Sequence, residues 1–272
     1  MLRDITIGQH FPGNSPLHTY DPRAKLVVTI AYVVLLFAAA NPLGLALSVG
    51  VLAALYAVAR IPFKMIGKSL KPILPIILFT AVLNLFFITG ETVLFSLGIL
   101  KIYAEGVRFA VLMAVRVVAL IAGTSLLTYT TSPIVLTDGI ERLFSPLKKL
   151  GLPVHELAMM MTIALRFIPT LIEETDKIMS AQKARGADFE TGGLLDKAKA
   201  LVPLLVPLFI SSFRRADDLA LAMECRCYRG GEGRTRMKQL KLCSRDIIAA
   251  IVMALTIAAI VALNIWFPLA VK

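Results

Sequence analysis

The residues Leu26 to Ala59, LVVTIAYVVLLFAAANPLGLALSVGVLAALYAVA, decide the fold. They contain two apolar runs, residues 26–40 and 43–59, and no charged residue interrupts either run. A helix needs about 20 apolar residues to cross the hydrocarbon core of a bilayer. Asn41-Pro42, between the runs, is a turn signal that leaves little room for a loop. The stretch therefore predicts two membrane-spanning helices that form a hairpin.

Three more segments are long and apolar enough to span a membrane, at about residues 73–89, 107–127 and 247–267. Apolar residues make up 57% of the 272-residue chain, and its mean hydropathy is +0.78. A soluble domain could not bury that much apolar surface in one core. We expect an all-α integral membrane protein with about five transmembrane helices and a cytoplasmic region of long amphipathic helices.

Positive charge is concentrated in one part of the chain. There are 29 Lys and Arg against 18 Asp and Glu, a net charge of +11, and 18 of the 29 lie in residues 132–245. Basic blocks beside spans are typical of the cytoplasmic face, so we favour that interpretation over nucleic-acid binding. This interpretation divides the chain into three parts: residues 1–130 with the first four spans, the cytoplasmic residues 131–245, and residues 246–272 with the last span. In a cell membrane, the amino terminus and the block are then cytoplasmic and the carboxyl terminus is outside.

The chain has three cysteines, Cys225, Cys227 and Cys243. An odd number inside a cytoplasmic block does not suit a disulfide framework. Cys225 and Cys227 have neither a second cysteine pair nor a histidine cluster nearby in the sequence to complete four metal ligands. We therefore predict no metal site and expect the cysteines to act as small packing residues.

Two parts of the basic block have the apolar periodicity of helices. Apolar residues recur at three- and four-residue steps from Leu157 to about residue 182, and again from Leu205 to Met223. Each part predicts a long amphipathic helix. Pro169, Pro203 and Pro207 each lack a backbone donor. We expect bends at these prolines, or separate helical segments at the second and third.

Each predicted helix ends in an arginine between small residues, within AQKARGADFE (residues 181–190) and CRCYRGG (residues 225–231). Gly186 is a plausible residue for ending the first helix in a left-handed conformation. Two interpretations of Arg185 and Arg226 stay open. A cation can stabilise the carboxyl end of its own helix, or its guanidinium can enter a groove of a partner between small neighbours.

Four motifs together resemble the transmembrane T component of energy-coupling factor (ECF) transporters, and the resemblance covers most of the chain. They are SPLHTYDPRAKL (residues 15–26), ALRFIPTLIEE (164–174), AQKARG (181–186) and AMECRCYRGGEGRT (222–235). The third and fourth are similar to the two Ala-Arg-Gly coupling motifs of that family. The fourth departs from the family pattern, because Cys225 and Cys227 replace alanine and glycine.

The resemblance implies a function for the chain. Two cytosolic ATPase subunits would dock on the helix ends, and a separate membrane protein, the S component, would capture a vitamin or another micronutrient. The implied ATPase-docking residues are Ala184, Arg185, Gly186, Cys225, Arg226 and Cys227. The chain would bind no cofactor itself, since ATP and Mg would be used by the partner ATPases.

No motif indicates catalysis by this chain. Gly67-Lys68-Ser69 resembles the end of a phosphate-binding loop, but Pro62 occupies the position of its first glycine. His10, His18 and His155 are scattered and lack metal-ligand spacing, and His18 is expected to make a local contact. The alternative function is a self-contained channel or secondary carrier with a regulatory basic region. Such carriers typically have paired acids or repeated broken spans near mid-membrane, and the sequence shows neither.

Polar residues inside the predicted spans are expected to bond within the protein. Arg116 lies in the fourth span, where an arginine is costly. With no acid in another span to pair with it, we favour a contact with a backbone carbonyl or a polar side chain over a conduction role. Asn84 and Asn264 are expected to bond across helices.

Overall fold

A computed structural model describes residues 11–13, 15–89, 92–97, 100–187, 189, 193–231 and 243–266. Predictions made for His10, residues 232–235 and Phe267 fall outside these residues. The helices in chain order are α1 (Pro22–Ala38), α2 (Pro42–Ala59), α3 (Phe63–Leu70), α4 (Leu74–Phe87), α5 (Ala104–Thr130), α6 (Pro133–Phe144), α7 (Val154–Ala184), α8 (Leu194–Cys225) and α9 (Ser244–Trp266).

The described residues also contain three shorter elements. Short 3₁₀ helices lie at Pro16–Thr19 and Ser145–Leu150. Strands β1 (Val93–Leu97) and β2 (Leu100–Tyr103) form an antiparallel ribbon between α4 and α5, in which Ser96 pairs with Lys101. These strands were not predicted from the sequence, but the all-α class is confirmed because helices form the bulk of the described chain.

The described residues separate into two compact units. The span unit contains α1 to α5 and α9, and the hairpin unit contains α7 and α8. The predicted domain boundaries after residues 130 and 245 stay predictions.

Among the described residues, four helices are long and apolar enough to cross a membrane: α2, α5, α7 and α9. The pair α3 and α4, bent by 62°, makes a fifth if it forms one span, so the expected number of about five is confirmed. The helices that qualify as spans are not all those that were predicted. Helix α1 has only 17 residues, whereas α7 qualifies because its acidic residues Glu173, Glu174 and Asp176 follow a long apolar part.

Proline and short polar side chains start the first two helices. Pro22 and Pro42 each occupy the first turn, where a missing N–H leaves no helical bond unmade. Asp21 Oδ1 accepts a hydrogen bond from the Arg23 backbone N–H at 3.0 Å and caps α1. Helices α1 and α2, joined by three residues, each pack more extensively against α5 and α9 than against one another.

The core of the span unit depends on a close approach between α1 and α5. Tyr32 is 4% exposed, and its ring lies so close to Gly123 that an added Cβ would be 2.5 Å from Tyr32 Cε1. Small residues allow helices to approach in this way. The Tyr56 hydroxyl donates to the Ala122 carbonyl at 2.8 Å, so the polar end of this buried ring is satisfied.

Polar side chains from two other helices donate hydrogen bonds to the carboxyl end of α1. The last carbonyls of a helix lack intrahelical donors. Arg116 Nη2 donates to the Ala39 carbonyl at 2.6 Å, and Asn264 Nδ2 donates to the Ala38 carbonyl at 2.8 Å. The expected backbone contact of Arg116 and the cross-helix bond of Asn264 are therefore confirmed. The cross-helix bond of Asn84 stays a prediction.

Two buried charged residues join three helix ends at the other end of α1. Asp246, at the start of α9, accepts from the Asp21 backbone N–H at 2.9 Å and from the Cys243 N–H at 2.8 Å. Lys25 Nζ donates to the Thr130 carbonyl at the end of α5, at 3.0 Å. The starts of α1 and α9 and the end of α5 therefore lie together.

Two local predictions have clear outcomes. His18 contacts its own segment, with Nδ1 2.6 Å from Ser15 Oγ and Nε2 3.0 Å from the Phe11 carbonyl oxygen, which confirms the expected local role. Arg60, Lys64, Lys68 and Lys71 follow the second apolar run, and this cluster of basic residues predicts a cytoplasmic loop. Lys64 and Lys68 instead lie in helix α3, in which the apolar residues Phe63, Ile66 and Leu70 recur at helical spacing.

Candidate functional site

The hairpin unit is built on two long helices that run in opposite directions. Glu174 of α7 contacts Ser211 of α8, and Gln182, eight residues further along α7, contacts Pro203, eight residues earlier in α8. Both amphipathic helices predicted from the sequence are present. Their antiparallel arrangement places the carboxyl ends of α7 and α8 at opposite ends of their contact region.

The prolines do not divide these helices. Pro169 lies inside α7, and Pro203 and Pro207 lie inside the continuous helix α8, so the expectation of separate segments was wrong. Pro207 has no N–H to offer the carbonyl of Pro203, four residues earlier. The side chain of Gln182 supplies a donor, with Nε2 3.4 Å from that oxygen. Tertiary contact therefore replaces one bond that the proline removes.

The end of α7 carries the first candidate site. Ala184 is the last helical residue, Arg185 is the C-cap, and Gly186 follows with φ +89°. The Gly186 N–H donates to the Lys183 carbonyl, and the Ala187 N–H donates to the Gln182 carbonyl, both at 3.0 Å. This pair of bonds defines a Schellman motif. The prediction that Gly186 ends the helix in a left-handed conformation is confirmed.

The end of α8 has the same hydrogen-bond pattern. Arg226 is the C-cap, and Cys227 follows with φ +56°. The Cys227 N–H donates to the Glu224 carbonyl at 2.8 Å, and the Tyr228 N–H donates to the Met223 carbonyl at 3.1 Å. Arg185 and Arg226 therefore occupy one equivalent position in two Schellman motifs, although the left-handed residue is glycine in one and cysteine in the other.

All six candidate residues are exposed: Ala184, Arg185, Gly186, Cys225, Arg226 and Cys227. Both arginines are thus available to a partner from the ends of the hairpin. Because Cys225 and Cys227 are exposed, they do not pack within this chain as expected, and Cys243 is exposed as well. Cys225 is the last residue of α8 and Cys227 follows its C-cap, and both side chains are exposed. The assignment of the six residues to ATPase docking stays a prediction.

The segment after the second motif packs against His155. Gly231 lies against His155, and a Cβ added to it would be 2.5 Å from His155 Cδ2. His155 Nδ1 is 3.0 Å from Glu141 Oε1 of α6. We call the contact of Gly231, His155 and Glu141 the His155 contact. Among the residues that the structure describes, nothing lies within 4 Å of a Cβ added to Gly186.

Several of these residues were not found from the sequence. His155 had been set aside as a scattered histidine, and Glu174, Gln182, Ser211 and Arg215 had not been singled out. The four-residue spacing of Ser211 and Arg215 places them on one face of α8, but nothing local identifies their partner on α7. Among the described residues there is no group of three or more His, Cys, Asp or Glu side chains suited to a metal ion.

Together, the apolar helices and the exposed hairpin ends define a multispan helical membrane protein that presents two arginine sites. Comparison with known proteins identifies its family. The CbiQ family, described as cobalt transport protein, matches residues 13–237. A protein of Clostridium kluyveri described as energy-coupling factor transporter transmembrane protein EcfT is 56% identical over 268 residues, 98% of this chain and 99% of that protein.

Other relatives bear the same description. The protein from Thermosediminibacter oceani is 55% identical over 266 residues, 97% of this chain and 100% of its own length. The protein from Bacillus subtilis is 48% identical over 261 residues, 93% of this chain and 97% of its own length. The chain therefore belongs to the family of transmembrane components of energy-coupling factor transporters.

Proposed function

We propose that this chain is the non-catalytic coupling subunit of an ATP-driven importer. Two cytosolic ATPase subunits dock on Arg185 and Arg226, and the chain transmits their ATP binding and hydrolysis to a substrate-capture subunit in the membrane. The imported substrate is a vitamin or another micronutrient. The observation that carries this proposal is the equivalent C-cap position of the two arginines at opposite ends of one hairpin.

The chemistry of the two helix ends suits docking. In each Schellman motif two of the last helical carbonyls already accept hydrogen bonds. Each guanidinium is exposed, and its planar fork of donors matches a carboxylate or paired carbonyl oxygens in a partner groove. Stabilisation of the helix dipole alone would not require the same motif at both ends. Two related ATPase subunits, in contrast, require two similar docking sites. We call the site at Arg185 the first dock and the site at Arg226 the second dock.

The proposed topology places the amino terminus and the hairpin in the cytoplasm and the carboxyl terminus outside. Its five spans are α1, α2, the α3–α4 pair, α5 and α9, and α7 lies in the cytoplasm although it is long and apolar enough to cross a membrane. The starts of α1 and α9 and the end of α5 are joined through Asp246 and Lys25. These three helix ends therefore lie on the same side of the membrane. This placement agrees with the distribution of Lys and Arg in the sequence.

ATP and Mg belong to the partner subunits in this proposal. Gly67-Lys68-Ser69 lies within helix α3, whereas a phosphate-binding loop requires these residues between a strand and a helix. A self-contained carrier with an ion path would be a different function. Arg116, the charged residue within α5 considered for such a path, is bonded to the Ala39 carbonyl.

The test is reconstituted transport with the ATPase and capture subunits in liposomes. Arg185→Ala combined with Arg226→Ala is expected to abolish ATP-dependent uptake, because both docks lose their guanidinium groups. Lys177→Ala combined with Arg214→Ala removes the same charge from exposed positions inside α7 and α8 and is expected to keep uptake. Full uptake by the first variant would overturn the proposal.

A further inference from the structure

A polar cluster lies between α7 and α8, away from the candidate docks. Glu174 Oε1 accepts a hydrogen bond from the Ser211 hydroxyl, and Glu174 Oε2 accepts one from Arg215 Nη2 at 2.6 Å. Ser211 and Arg215 are one turn apart on α8, so they share a face. One carboxylate of α7 therefore holds two successive turns of α8. We call these three residues the Glu174 cluster.

The ion pair lies midway between the two arginines along the helices. Arg185 follows Glu174 by eleven residues, and Arg226 follows Arg215 by eleven residues. At a rise of 1.5 Å per residue, each arginine is about 16 Å from the ion pair along its own helix. The helices are antiparallel, so these two distances extend in opposite directions.

The two eleven-residue segments are also free of proline. Pro169 precedes Glu174, and Pro203 and Pro207 precede Arg215. Proline is the commonest cause of a sharp helix kink. Each segment from the Glu174 cluster to its arginine is therefore an uninterrupted helix, which can carry a displacement along its axis without bending at a missing hydrogen bond.

The cluster fixes register more than it adds stability. The side chains of Glu174 and Arg215 are 20% and 39% exposed, and ion pairs this open to water contribute little to the free energy of unfolding. Their geometry is nevertheless specific. A slide of α8 by one turn moves its residues about 5.4 Å along the axis, which separates both donors from the carboxylate.

We propose that Glu174 and Arg215, aided by Ser211, are positioning residues that lock α7 to α8 at one register. A movement imposed by an ATPase subunit at one arginine then reaches the other half of the hairpin instead of being lost by sliding between the helices. This inference rests on the proposed function, since it takes Arg185 and Arg226 as the docks. The Glu174 cluster itself touches neither ATPase subunit in this account.

The experiment compares uptake per ATP hydrolysed in liposomes that contain the complete transporter. Glu174→Gln and Arg215→Gln are each expected to lower this ratio about fivefold or more, the range of ordinary coupling free energies. Both variants are expected to keep their ATPase subunits on purification. The exchange Glu174→Arg with Arg215→Glu is expected to restore most of the ratio, because it rebuilds the ion pair.

The neighbouring residues provide matched controls. Glu173 and Arg214 are exposed and adjacent in sequence to the paired residues, so Glu173→Gln and Arg214→Gln make the same chemical changes outside the cluster. Both are expected to leave uptake per ATP unchanged. Ser211→Ala removes the contact to Oε1 alone and is expected to give a smaller loss, which keeps the test informative if a charge variant does not accumulate in the membrane.

The outcomes separate this inference from the proposed function. Unchanged uptake per ATP in Glu174→Gln and Arg215→Gln would overturn the positioning role while leaving the docks in place. Release of the ATPase subunits by either variant, or no recovery in the charge exchange, would overturn it as well. Retention of ATPase subunits by the Arg185 and Arg226 double variant would instead contradict the proposed function.

Discussion

The carboxyl ends of α7 and α8 have the same hydrogen bonds but are built from different residues. At the first end a glycine adopts the left-handed conformation, and at the second a cysteine adopts it. For a residue with a Cβ, that conformation costs about 1–2 kcal/mol. The first end is thus free of this strain, and within the described part of the chain nothing lies within 4 Å of a Cβ added to Gly186. The second is strained, and the His155 contact holds the segment that follows it.

The two helix ends stabilise the same left-handed backbone conformation in different ways. Glycine makes the left-handed conformation available locally. A non-glycine residue keeps it where surrounding structure determines the chain path, and here Gly231 is placed against His155 only five residues after Arg226. We therefore expect the first dock to depend on its glycine and the second to depend on tertiary contact.

The largest effect is expected from Gly231→Ala, in an Arg185→Ala background where only the second dock remains. The new Cβ would be 2.5 Å from His155 Cδ2 and 3.0 Å from His155 Cγ, so the segment must move. Overpacking of this kind costs about 1–3 kcal/mol, or roughly fivefold to 150-fold in affinity. The measurement is the dissociation constant of the purified ATPase subunits from the membrane complex.

Gly193→Ala is the matched control for that change. It also adds one methyl group after a docking motif, but among the described residues its Cβ would meet only Asp196 Oδ2, at an ordinary 3.5 Å. We expect no change in affinity. Equal effects of the two substitutions would show that the His155 contact does not support the second dock.

A smaller effect is expected from Gly186→Ala, tested in an Arg226→Ala background. No described residue lies within 4 Å of the added Cβ, so the expected cost is that of the left-handed conformation, about 1–2 kcal/mol. Thermal unfolding should begin at a lower temperature, and ATPase binding should weaken. Ala187→Gly, one residue later, serves as the control for composition. An unchanged affinity in Gly186→Ala would remove the glycine from the account of the first dock.

The smallest effect is expected from Cys227→Gly, in an Arg185→Ala background. Glycine relieves the strain at φ +56°, but it also gains freedom in the unfolded chain, which offsets about 0.4–1 kcal/mol of the benefit. We expect a rise in unfolding temperature equivalent to about 1 kcal/mol or less and no loss of ATPase binding. Cys225→Gly inside the helix should destabilise by about 0.5–1 kcal/mol. A loss of binding in Cys227→Gly would assign the cysteine a role beyond its backbone conformation.

Features that depend on residues close together in the sequence could be predicted from it. Apolar runs gave the number of spans, and three- and four-residue spacing gave the long helices of the hairpin. Gly186 was predicted to be left-handed because glycine accepts that conformation without a Cβ clash. The same reasoning did not predict Cys227 to be left-handed, because cysteine has no such preference.

Features that depend on distant residues were missed. The continuity of α8 through Pro207 involves Gln182, and the Glu174 cluster joins residues 37 and 41 positions apart. His155 has its partners at Glu141 and Gly231, on other segments of the chain. Each contact follows from how the hairpin folds back, and a single sequence contains no periodic signal for it.

The most direct test of the account is retention of ATPase subunits during purification of the membrane complex. We predict that the Arg185→Ala and Arg226→Ala double variant loses both subunits, that each single variant retains them in part, and that the Lys177→Ala and Arg214→Ala control retains them fully. Retention of both subunits by the first double variant at the level of the unchanged protein would contradict the claim that these helix ends are the docks.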